Sequence, residues 1–183
     1  MHLGLIGYGN IAAGLIARLD DPRVTQITIL VRPGSDAQDR FAATYDGARS
    51  REQFVTDLDA LVAAQPDLTV ECAGHAAVKA HAAALLGASF DLVIASIGAL
   101  ADETLYTQIT KAAAAGNARL ILPSGAIGGL DILRAIAQAG KIAVTYRGIK
   151  PPKAWAGSPA EAQIDLDSIL ADLDRHYQSR IAA

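Results

Sequence analysis

Short runs of aliphatic residues alternate along the chain with longer Ala/Leu-rich stretches of helical periodicity. "HLGLIG" (2–7), "QITILV" (26–31), "LTVECAG" (68–74), "DLVIAS" (91–96) and "ARLILPS" (118–124) read as strands. Residues 10–20, 36–45, 54–65, 76–88 and 102–116 read as the helices between them. The strands are apolar nearly throughout, as expected when helices cover both faces of a parallel sheet. The pattern therefore predicts a doubly wound, Rossmann-like α/β domain over residues 1–127.

After Ser124 the pattern changes. Residues 128–139 predict one more helix, and "KIAVTYRGIK" (141–150) alternates apolar with polar, which suits an antiparallel strand with one solvated face. Pro151, Pro152 and Pro159 then interrupt regular structure, and Leu166, Ile169, Leu170 and Leu173 fall at helical spacing near residue 183. Residues 128–183 thus read as a short, incomplete α+β extension, the remnant of a substrate or oligomerisation domain. A strand over 141–148 with no partner after it exposes unpaired backbone groups, so a homodimer or higher homo-oligomer is expected.

Composition narrows the partners. A chain of 183 residues that is 51% hydrophobic can bury one sizeable core. A net charge of −3 without a Lys/Arg run excludes the clustered positive field that nucleic acid or an anionic membrane would require. No stretch approaches the roughly 18 apolar residues of a membrane span. Cys72 is the single cysteine, so no internal disulfide can form, and a cytoplasmic protein acting on small molecules is expected. The acidic series Asp165, Asp167, Asp172 and Asp174 lacks the glycine and terminal Glu of a calcium loop, so no metal site is expected.

The chemistry begins in "GLIGYGNIAAG" (4–14). Gly7 and Gly9 close the first strand, and Ala12 takes the third place of G-x-G-x-x-G/A, with Asn10 and Ile11 opening the helix. Gly7 allows the tight turn; Gly9, lacking a Cβ, lets a pyrophosphate approach the helix-end N–H groups. A dinucleotide, NADP or NAD, is the expected cofactor. At the end of the second strand, "LVRPGSD" places Arg32 and Ser35 where a 2′-phosphate would sit, which favours NADP, while Asp36 lies close enough to serve the ribose of NAD.

Further turns at strand ends fall in order after this fingerprint: "ECAGHAAV" (71–78), "ASIGALAD" (95–102), "LPSGAIGGLD" (122–131) and "RGIKPPKAWAGSPAE" (147–161). Together they closely resemble the L-aspartate dehydrogenase family, from Met1 to about Asp167. The resemblance implies oxidation of L-aspartate to iminoaspartate with NAD(P)+, or reductive amination of oxaloacetate in reverse, often feeding NAD biosynthesis. It implies that Ala126 contacts cofactor. Gly74, His75 and Gly98 lie on the strand-end rim where ligands of such sheets bind, so they join the expected cofactor site. In that family an Asn and a catalytic His lie further along, whereas here "SILADLDRHYQSRIAA" (168–183) matches neither motif. Little turnover by residues 1–183 is therefore expected, and the catalytic base is unassigned, with His75 and His176 as weak candidates. His81 reads as a surface residue, and Cys72 as a buried structural thiol.

Overall fold

The computed structural model describes residues 1–45, 51–125 and 128–145, together with 151 and 165. Strand β1 (His2–Ile6) leads into helix α1 (Asn10–Arg18), followed by β2 (Gln26–Leu30), α2 (Ala37–Tyr45), β3 (Glu52–Val55) and α3 (Leu58–Ala63). Then come β4 (Leu68–Glu71), α4 (His75–Gly87), β5 (Leu92–Ile94), a 3-10 turn (Ile97–Ala101), α5 (Glu103–Ala115), β6 (Leu120–Ile121) and α6 (Leu130–Ala139). All the strands pair in parallel, in the order β3-β2-β1-β4-β5-β6. That is the doubly wound order, whose direction reverses between β1 and β4.

Side chains alternate between the two faces of the sheet, as the period of a strand requires. Leu3, Leu5, Ile27 and Ile29 pack on one side with Ile16 of α1 and Phe41 of α2. Ile6, Leu30, Leu92 and Ile94 pack on the other with Leu61, Val78, Leu85, Leu86 and Ile109 from α3, α4 and α5. Each face is dry at its centre, where Leu5, Ile29, Leu85 and Ile94 are fully buried. Local signals set the helix starts: Asp57 caps α3 by accepting from Ala60 N at 2.8 Å. Asp102 likewise caps α5, accepting from Thr104 N at 3.1 Å and Leu105 N at 3.2 Å.

Two expectations are corrected. Residues 54–65 are not one helix: Phe54 and Val55 belong to β3, which pairs with β2 in the register Ile29↔Phe54 and Leu30↔Val55. An aromatic and a β-branched residue beside a strand edge gain more from pairing than from the weak helical pattern that continues past them. Residues 141–145 form no strand, and 146–150 lie outside the described residues. The edge-strand argument for a homo-oligomer therefore has no support from those residues.

The chain divides into two compact units, Met1–Leu130 and Asp131–Ala183. In the second, the described part of α6 carries Ile132 and Ile136 on exposed positions. Among the described residues no helix is long and apolar enough to cross a membrane.

Candidate dinucleotide site

A cleft of about 620 Å³ opens at the carboxyl ends of β1, β2 and β4. Its floor is the β1–α1 turn. Gly7 has φ +91°, donates its N–H to Leu30 O at 2.8 Å, and lies so close to the β4–α4 loop that a Cβ on it would stand 2.6 Å from Ala73 Cβ. A side chain at position 7 is thus excluded twice, by conformation and by contact. Gly9 differs: a Cβ there would meet nothing within 4 Å and would instead project into open space above the helix start. Gly9 is the N-cap of α1, makes no side-chain cap bond, and is followed by no acidic residue in the first turn. The N–H groups and positive dipole end of α1 therefore face a place that an anion fits.

The wall beyond β2 is basic. Arg32, Pro33 and Ser35 line it together with Arg40, one turn into α2. Arg40 is held from three directions: its Nε donates to Asp36 Oδ1 at 3.0 Å, its Nη2 donates to Tyr8 O at 3.0 Å, and its guanidinium carbon lies 5.6 Å from the Tyr8 ring centre. Tyr8 is in turn buried against Phe41 and Phe54 at 5.7 and 5.8 Å between ring centres, and burial pushes its phenol above the ordinary value. The opposite wall is small and apolar, with Ala73, Ala76, Ala77 and Ala80 of the β4–α4 segment, closed by Leu58 and His81.

Of the residues expected from sequence, Gly7, Gly9 and Arg32 line this cleft. Asn10, Ile11 and Ala12 form the first turn of α1 beside it, with Ala12 buried and Ile11 exposed. Gly74 and His75 stand at the start of α4, where Gly74 has φ +118° and His75 is exposed. Gly98 lies against the His75 ring, since a Cβ on it would come within 2.8 Å of Nε2. Ala126 and His176 fall outside the described residues.

Sequence reading missed Arg40, His81 and Glu71. His81, expected on the surface, is half-buried and lines the cleft, because α4 turns the Ala77–His81 side of the helix toward it. Arg40 was marked by its i,i+4 spacing from Asp36. Glu71 was marked by being the single charge in an apolar strand.

A parallel sheet in this order, with a glycine turn and an uncapped helix start at its reversal point, defines a Rossmann-type dinucleotide-binding domain. The chain belongs to the family described as the NAD binding domain of homoserine dehydrogenase, whose profile it matches over residues 7–123. Its cofactor class is accordingly a nicotinamide dinucleotide. The chain is 42% identical over 170 residues to an L-aspartate dehydrogenase of Ruegeria pomeroyi, covering 92% of this chain and 58% of that protein. It is 39% identical to an L-aspartate dehydrogenase of Ralstonia nicotianae, covering 92% of this chain and 62% of that one. The crystal structure of an aspartate dehydrogenase from Thermotoga maritima superposes with a TM-score of 0.59 at 28% identity, over 75% of this chain and 52% of that one. These matches bear out the resemblance carried by the strand-end motifs. The chain spans about three-fifths of the length of these curated relatives.

Proposed function

We propose that this chain supplies the cofactor-binding part of an L-aspartate dehydrogenase, and that the cofactor it prefers is NADP. The observation that carries the preference is the basic wall beyond β2. The acid that would serve the ribose of NAD, Asp36, is paired with Arg40 at 3.0 Å, and Asp57 is spent on capping α3. Arg32 and Ser35 face the place of a 2′-phosphate, with the Arg40 guanidinium held beside them by Asp36 and Tyr8 and adding its positive charge, and a guanidinium binds phosphate through charge-assisted hydrogen bonds. Gly9 and the N–H groups of Asn10, Ile11 and Ala12 receive the pyrophosphate in this reading, and Ala126 and Gly98 belong to the nicotinamide side. A cytoplasmic location is part of the proposal.

The reaction removes a hydride from Cα of L-aspartate and a proton from its amine, giving iminoaspartate, which water converts to oxaloacetate and ammonia. A bound oxidised nicotinamide supplies the hydride acceptor. A positioned base is typically worth about 10²–10⁴ in rate, and residues 1–183 match no family motif for one. Residues 1–183 are therefore expected to bind NADPH while turning over L-aspartate, or oxaloacetate with ammonia, slowly by that factor. Brisk turnover abolished by His75→Ala or His176→Ala would instead assign the base to this chain.

Binding provides the primary test. In a fluorescence titration, Arg32→Ala and Arg40→Ala should each weaken NADPH roughly tenfold, the size of one charge-assisted hydrogen bond, and weaken NADH much less. Gly9→Val should weaken both, because its side chain enters the space where the pyrophosphate must approach. Equal losses of NADPH and NADH in the arginine variants would remove the NADP preference. Unchanged affinity in Gly9→Val would remove the dinucleotide site itself.

A further inference from the structure

Glu71 ends β4 and is 1% exposed, yet among the described residues no cationic side chain bonds its carboxylate. Its partners are all N–H and O–H donors. Oε1 accepts from Ala73 N at 2.7 Å, Gly74 N at 2.8 Å and Ser96 Oγ at 3.0 Å, and Oε2 accepts from Ser96 N at 3.1 Å. The donors come from two loops, the one after β4 and the one after β5. Burying a carboxylate without a counter-ion costs several kcal/mol unless its lone pairs are filled, and here two loops must hold a fixed shape to fill them.

Those loops have neighbours that make their shape matter. Ala73 is the residue against which Gly7 packs, so the β1–α1 turn rests on the loop that Glu71 holds. Gly74, at φ +118°, sets the direction in which α4 and His75 depart. Ser96 leads into the 3-10 turn that brings Gly98 against the His75 ring. One carboxylate thus joins the ends of β1, β4 and β5 at the reversal point of the sheet.

In the dinucleotide reading the adenosine half lies toward Arg32, beyond β2, and the pyrophosphate meets α1. The other half of the molecule must then run across the β4 and β5 loops, on the far side of β1. We infer that Glu71 is a positioning residue for this half: its buried carboxylate clamps the two loops into the rim that receives the nicotinamide riboside. The inference rests on the proposed cofactor site and concerns a different part of it from the arginine wall.

Glu71→Gln tests it. The amide retains one acceptor for Ala73, Gly74 and Ser96 Oγ, but its NH₂ then faces the Ser96 N–H, donor against donor, so the β5 loop loses its anchor. In residues 1–183, the variant should weaken NADPH by about fivefold or more while leaving adenosine 2′,5′-bisphosphate, which carries only the adenosine end, within about twofold. Ser96→Ala, which removes a single bond, should show a smaller loss of the same kind. Amide hydrogen exchange of Ser96 should quicken most in Glu71→Gln, and that of Ala73 and Gly74, which keep an acceptor, less, while exchange within β1 and β2 stays as in the wild type. Equal losses of both ligands would reduce Glu71 to a support of the fold and overturn the inference, as would undiminished NADPH binding in the variant. A wild type that binds the bisphosphate and NADPH with the same affinity would also overturn it, since the rim would then contribute nothing. If the wild type binds neither, the cofactor reading itself fails, and the inference fails with it.

Discussion

Cys72 lies directly after Glu71, buried among the residues that line the cleft. Burial, with the neighbouring Glu71 carboxylate adding to it, pushes the thiol up to about 11. At pH 8 only about one molecule in a thousand then carries the thiolate, the species that reacts. Iodoacetamide should label the folded protein slowly at pH 8 and about tenfold faster per pH unit above it, with NADPH slowing it further; mass spectrometry of the Cys72 peptide checks this. Fast labelling at pH 8 would mean that the β4–α4 loop opens. At this scale the sequence showed the glycine fingerprint and Arg32 because their signals are local. Arg40 and Glu71 were not legible in the same way, since each takes a partner distant in the chain, and His81 owes its place to the side of α4 that faces the cleft. Arg40 meets Tyr8 across 32 residues, and Glu71 meets Ser96 across 25.

Among the elements, α4 and α5 show how small residues decide packing. Gly116, just past α5, sits so close to the Leu86 carbonyl that a methyl on it would overlap that oxygen. Gly116→Ala should therefore cost about 1–3 kcal/mol through overpacking, although alanine would otherwise be the better residue near a helix end. Leu85→Ala, in the same contact layer and fully buried, should cost about 2–5 kcal/mol through the cavity it leaves. Chemical denaturation measures both.

Acid should act on two loop anchors. The Arg119 guanidinium, bonded to Asp91, holds that carboxyl below its ordinary value, and the N–H of Leu105, with Lys79 nearby, does the same for Asp102. A folded pKa below the unfolded one gives stability that is complete above about pH 4 and is lost as pH falls through the folded value. Asp91→Asn should accordingly flatten the fall of Tm below pH 4 and lower Tm at pH 7. Most elements were legible because their periodicity is strong; β3 was hidden because "EQFVTDLDALVAAQ" (52–65) carries a strand, a turn and a helix without a glycine or proline between them. The pairing with β2 and the Asp57 cap together divide the strand from the helix that follows it.

Over the whole molecule, the unit Met1–Leu130 contains the sheet, both core layers and every described residue of the cleft. A chain ended at Leu130 should melt in one cooperative transition and keep its NADPH affinity within about threefold, since most binding contacts of a preformed pocket come from the unit that forms it. A loss beyond that would place cofactor contacts in the residues after 130. The order β3-β2-β1-β4-β5-β6 also sets a timetable for a ribosome making this protein. β1 emerges before both of its neighbours and stands at the middle of the sheet, with β2 on one side and β4 on the other. The partner of Leu3 on the β4 side is Leu68, which at about 5–20 residues per second leaves the ribosome roughly 3–13 seconds later. Through that interval a strand whose Leu3, Leu5 and Ile6 end up buried keeps one backbone edge open to pairing with other chains, until β4 arrives to close it.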